Sequence, residues 1–120
     1  MNAARFDRIV EDRLAAAQVI LTTAAEEYAH DSDRLANFKL ISEITDNRIS
    51  PEDVCLVYML KHIIGISNYI AKREEQRDSV GGRITDAINY LLIMEAILTE
   101  QADAKRLTPS TQVLVGNSVA

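Results

Sequence analysis

Ser50-Pro51-Glu52-Asp53-Val54-Cys55-Leu56-Val57-Tyr58-Met59-Leu60-Lys61-His62-Ile63-Ile64-Gly65-Ile66-Ser67-Asn68-Tyr69-Ile70 is the stretch that decides the fold. Ser50 can cap the open N–H groups of a first helical turn, and Pro51 suits the first helical position because it has no N–H to lose. Glu52 and Asp53 favour the positive end of the helix dipole. A helix therefore starts at Pro51. Val54, Leu56, Val57, Leu60, Ile63, Ile64, Ile66 and Ile70 cover so much of its circumference that it is expected to be the central and most buried element.

Upstream, Phe6, Ile9, Val10, Leu14, Ala17, Leu21, Ala24 and Tyr28 recur at three- and four-residue steps without Gly or Pro, which predicts a long helix from Ala4 to Ala29. His30-Asp31-Ser32-Asp33 offers N-cap candidates, and Leu35, Phe38, Ile41 and Ile44 predict a shorter helix from about Asp33 to Ile44. Thr45-Asp46-Asn47-Arg48 is turn chemistry. Downstream, the charge run Lys72 to Arg77 reads as a solvated loop and Asp78-Ser79-Val80-Gly81-Gly82 as a flexible reversal. Ile84, Ile88, Leu91, Leu92, Ile97 and Leu98 then define a third long helix ending near Gln101. The fold class is all-α: a bundle of three long helices plus one short helix, oligomeric because the long apolar faces need covering. Residues 1–101 form the helical domain, and 102–120, with Val113-Leu114-Val115 as its apolar material, a flexible C-terminal tail.

The 120 residues fit one domain, and 48% apolar with 26% charged residues excludes intrinsic disorder. A net charge of −5 argues against extended nucleic-acid binding, which needs a basic face, yet leaves room for a compact phosphate ligand held by a few local cations or a metal. No window approaches the roughly 18 uninterrupted apolar residues of a membrane span, and the charged N-terminal stretch has no signal-peptide core. No membrane partner and a cytoplasmic location are expected. Cys55 is the single cysteine, so no intramolecular disulfide forms. It lies in an apolar run and reads as a buried structural thiol; His62, two turns on, is too distant along the helix to serve as its base.

Three polar clusters interrupt the apolar stripes. Glu27-Tyr28, Asp31-Ser32-Asp33-Arg34 and Asn37-Phe38 gather at a helix junction, where capping and surface charge are the plain alternative to a site. Lys61-His62 sits inside an apolar helix; Lys61 either snorkels outward or meets a ligand, and a lone histidine there is ordinarily a hydrogen-bonded core residue. Asp86, Asn89 and Tyr90 stand at i, i+3 and i+4 of the last helix and face one direction, so they can converge on one ligand. Together the clusters describe a pocket whose acids hold a divalent cation and whose Lys, Arg and Asn contact phosphate or base.

The order Glu27-Tyr28-Ala29, Asp33-Arg34-Leu35-Ala36-Asn37-Phe38-Lys39, Ser50-Pro51-Glu52, Lys61-His62 and Ile84-Thr85-Asp86-Ala87-Ile88-Asn89-Tyr90-Leu91-Leu92 resembles small phage and prophage proteins related to the MazG-like, all-α nucleoside triphosphate pyrophosphohydrolases, over roughly Leu21 to Glu100. The resemblance implies a homo-oligomer, a dimer or higher, with a site between helices and across subunits, acting in the cytoplasm, that of the host for a phage protein. It implies Mg²⁺ held by Glu27, Asp31, Asp33 and Asp86, with Glu27 and Asp86 as catalytic acids orienting water. Arg34 and Lys61 would face phosphates, and Asn37, His62, Asn89 and Tyr90 the rest of a nucleotide. The enzymes carry Glu-x-x-Glu and Glu-x-x-Asp pairs, whereas here Arg83 precedes Asp86 and Ala24 and His30 flank Glu27. Such a depleted site suits an alternative function: a non-catalytic sponge sequestering a nucleotide signal, cyclic ones included, of host anti-phage defence. A structural helical oligomer is the third reading.

Overall fold

The computed structural model describes residues 1–28 and 33–106, with residues 24–28 described as backbone alone. Four helices follow one another: α1 (Ala3–Tyr28), α2 (Ala36–Ile44), α3 (Pro51–Lys72) and α4 (Val80–Arg106). Among the described residues there is no strand, and the chain is all-α with three long helices and one short.

The start of α3 forms as its residues dictate. Ser50 has extended backbone and its side chain accepts from the Asp53 N–H at 3.1 Å. Before it, Asp46 and Asn47 take left-handed φ values of 55° and 60°, which short polar side chains tolerate, and the Ser42 hydroxyl donates to the Ile49 carbonyl at 2.6 Å to close the turn. α3 ends on Arg73, whose left-handed backbone turns its N–H back to the Tyr69 carbonyl.

α4 starts earlier than expected, because Ser79 makes helical what Gly81-Gly82 made look like a reversal. Its hydroxyl accepts from the Gly82 N–H at 3.0 Å, and Glu75 accepts from the Val80 N–H at 3.1 Å. The first turn is thus capped before the glycines can weaken it. At the other end α4 runs on to Arg106, five residues beyond the Gln101 boundary, with Lys105 and Arg106 favourable near the negative end of the dipole. The expected tail otherwise falls on residues 107–120, outside the described residues.

Cys55 meets Tyr90, His62 meets Asp86 and Gly65 meets Arg83, so α3 runs antiparallel to α4. Arg13 meets Gly81 and Thr85, and Ala17 meets Asn89, so α1 runs parallel to it. α2 packs on α3. The core is small: Leu35, Cys55 and Ile97, with Phe38, Tyr90, Ile93 and Met94 against them.

α3 shares the centre with α4: α3 packs on α2 and α4, and α4 packs on α3 and α1. α3 buries Val54, Cys55 and Gly65, while Val57 stays 62% exposed, Ile64 60% and Leu60 46%. A helix apolar on nearly all sides has two faces to cover, and one chain supplies neighbours for only one of them. α1 is likewise covered on one side, around Ala17, and its first twelve residues of the chain are exposed throughout.

Ile97 is 3% exposed, so Ile97→Ala removes buried methylenes and opens a cavity; urea unfolding should register a loss of about 2–5 kcal/mol. Leu60→Ala, on the bare face of α3, should change the stability of the dilute monomer by less than about 0.5 kcal/mol.

Candidate functional site

A cleft of about 770 Å³ opens where the four helices approach one another. Asp86, Asn89, Tyr90 and Ile93 form its α4 wall, and Tyr58 reaches in from α3. Arg34, Leu35, Asn37 and Phe38 close the side nearest α2, and Ile20 and Leu21 of α1 close the other.

Asn89 is buried, and its Nδ2 donates to the Ala17 carbonyl at 3.1 Å, which ties α1 to the wall. Because that partner is an acceptor, the amide orientation is determined. Its Oδ1 has no hydrogen-bond partner although it is shielded from solvent, a state that costs free energy until something donates to it.

The aromatic residues form a continuous ladder. Phe38 meets Tyr58 edge-on at 6.3 Å, Tyr58 meets Tyr90 at 5.9 Å, and Tyr90 stacks on His62 at 5.5 Å with 22° between the planes. Burial foremost, and then the neighbouring Asp86 carboxylate, push the Tyr90 phenol above its ordinary value, so it stays protonated at neutral pH. His62 Nδ1 lies 3.7 Å from Asp86 Oδ2, too long for a hydrogen bond, and pairs with it as an ion pair when the imidazole is charged. His62 therefore backs the wall from behind Tyr90.

At the cleft's rim, Lys39 Nζ stands 2.7 Å from both Asp33 Oδ2 and Glu100 Oε1. The hydrogen bond from Lys39, followed by that from the Leu35 N–H, lowers the Asp33 carboxyl below its ordinary 3.8. The same pair, Asp33 first and Glu100 second, raises Lys39 above 10.5. Asp33 thus spends one oxygen on a lysine and the other on the first turn leading into α2.

Of the residues singled out from sequence, the cleft brings together Asp33, Arg34, Asn37, Asp86, Asn89 and Tyr90, with His62 directly behind. Lys61 is exposed and does not line it; on the turn of α3 that carries His62 inward, the position before it is rotated away. Asp31 lies outside the described residues, as does the side chain of Glu27. Among the described residues no three metal-ligating side chains cluster, and Asp33 is paired with Lys39. Phe38 and Tyr58 are not among the candidate site residues of the sequence analysis, because their meeting with Tyr90 across three helices has no counterpart in linear sequence.

No protein-family model matches the chain, and neither does any curated protein or solved structure.

Asp33→Asn keeps an acceptor for the Leu35 N–H and removes the charge. Because the folded carboxyl is lowered, its stabilisation is fully present above pH 3.8 and is lost as pH falls through the folded value. Urea unfolding should therefore show the variant less stable at pH 7 by under about 1 kcal/mol, since the pair is solvent-screened. The gap should close in acid and narrow in 1 M salt.

Proposed function

We propose that this chain is a nucleotide-binding protein of the cytoplasm which holds its ligand in the four-helix cleft without cleaving it. The observation that carries the reading is one cleft into which Phe38, Tyr58 and Tyr90 bring aromatic surface from three helices, beside Asp86 and an Asn89 oxygen that is buried and unpartnered. A concave, largely apolar site with a few convergent polar groups is what a planar, polar-edged ligand requires. Arg34 at the rim is the cation nearest to hand for a phosphate. Arg83 stands where the pyrophosphohydrolases have the acid paired with Asp86, and Ala24 and His30 stand at the steps that would pair with Glu27, which favours retention of an intact nucleotide, as in a sponge for a signalling nucleotide, over hydrolysis.

Calorimetry with a panel of nucleoside triphosphates and cyclic dinucleotides in Mg²⁺, followed by chromatography of the ligand, tests this directly. Binding should appear and the ligand should be recovered intact. Tyr58→Ala should weaken it by about tenfold, as expected for loss of one base-stacking ring. Pyrophosphate release that disappears in Asp86→Asn would assign hydrolysis instead.

We further infer that two copies pair through the bare face of α3. Between Val54 and Ala71 that helix carries no charged side chain except Lys61 and the titratable His62, and its half-exposed Leu56, Val57, Leu60, Ile63, Ile64 and Ile70 form one surface. Six such residues supply a large part of the roughly 800 Å² per partner that a standard interface buries. By length and composition α3 is also apolar enough to cross a bilayer. Its inner face, however, packs against the α4 turns that carry Arg83 and Asp86, a costly neighbourhood for hydrocarbon. In sedimentation the wild type should run as a dimer or higher, and Leu60→Glu with Ile64→Glu as a monomer that keeps its ligand. Co-sedimentation of the wild type with lipid vesicles would assign the face to a membrane.

A further inference from the structure

Two acceptors on the α4 wall, Asn89 Oδ1 and the Asp86 carboxylate, stand out. Asn89 Oδ1 is buried without a partner, and its amide cannot turn round because Nδ2 is held by the Ala17 carbonyl. Asp86, one turn earlier on the same face, contributes two carboxylate oxygens, and its Oδ2 lies 3.7 Å from His62 Nδ1, beyond hydrogen-bond reach. Of the cations near the cleft, Lys39 is occupied by Asp33 and Glu100, and Arg34 lies on the side nearest α2. A ligand that meets both Asp86 and Asn89 Oδ1 must therefore bring donors to them.

Resting on the nucleotide reading above, we propose that the wall recognises the amidine edge of guanine. That edge carries three N–H donors in a row, one on the ring nitrogen N1 and two on the 2-amino group, against the two oxygens of Asp86 and Oδ1 of Asn89. The other bases do not match it. Adenine and cytosine set a ring acceptor beside their amino group, which would face a carboxylate lone pair to lone pair, and uracil flanks its single ring N–H with two carbonyl oxygens. Phe38 and Tyr58 provide the apolar ring surface against which the base lies while its edge meets α4. The carboxylate is the stronger acceptor and sets the preference; the amide oxygen takes the remaining amino hydrogen.

Calorimetry of the full chain with guanosine, inosine, adenosine and xanthosine monophosphates separates the alternatives. Guanosine monophosphate should bind tightest, and inosine monophosphate, which lacks only the 2-amino group, should bind weaker by about tenfold or more, the usual consequence of leaving a charged acceptor unpaired. Asp86→Asn replaces one acceptor by a donor. It should weaken guanosine monophosphate and strengthen xanthosine monophosphate, whose position 2 carries an oxygen, so that the order of the two reverses. A purely structural Asp86 would lower both alike. Equal binding of guanosine and inosine monophosphates, or tighter binding of adenosine monophosphate, overturns the guanine assignment while leaving nucleotide binding intact. Tighter binding of argininamide than of any nucleotide overturns it in favour of a guanidinium ligand. No binding by any of the four nucleotides, with triphosphates and cyclic dinucleotides also inert, removes the nucleotide reading and this one with it.

Discussion

The packing of α3 along α4 is the constraint on which everything else depends. Cys55 has no exposed surface, its thiol donating to the Tyr90 carbonyl at 3.3 Å, and burial pushes that thiol up from its ordinary value. Gly65, two turns and more along, leaves room for the Arg83 side chain, which a Cβ would strike. Between these two small residues the helices approach closely enough for His62 to slide behind Tyr90 and beside Asp86. Were either position bulkier, α4 would stand off and the aromatic ladder would come apart, since Tyr58 and Tyr90 sit on opposite sides of that same seam.

α1 joins this pair by a thinner set of links. Arg13 donates to the Gly81 carbonyl at 2.9 Å and to the Thr85 hydroxyl at 2.8 Å, and the Thr85 hydroxyl itself donates to Gly81. One turn further on, Asn89 holds the Ala17 carbonyl. These bonds set the register of α1 in polar terms, where an alanine-rich surface offers little shape to set it by apolar packing. The cleft inherits that register, because Ile20 and Leu21 close it one turn beyond Ala17.

Helix existence was plain in the sequence because period and capping agree at Ser50-Pro51 and along Phe6 to Leu21. What local pattern does not contain is which side of a wholly apolar helix meets the rest of its own chain. That is why α3, expected to be the most buried element, leaves one whole face bare. The glycines at 81 and 82 misled for a related reason: their own preference is to break a helix, and a single capping hydroxyl on Ser79 outweighs it. The wall Asp86, Asn89, Tyr90 was legible because i, i+3 and i+4 fix a shared face on one helix. Its aromatic partners were not, because Phe38, Tyr58 and Tyr90 come from three helices and meet only through tertiary packing. Lys61 and His62 show the boundary between the two cases: adjacent in sequence, they differ by the angular step that sends one into the protein and one into solvent.

Cys55 has one more consequence. It is the only thiol in the chain and is sealed at the seam between the two most closely packed helices. A thiol reagent reaches it only when α3 and α4 part, so the rate at which the native protein is labelled reads the free energy of that opening when reclosing is fast. Anything seated in the cleft leans on both helices at once and slows the reaction in proportion to its occupancy. The fold carries its own clock for breathing, at the residue whose small size allowed the seam to close.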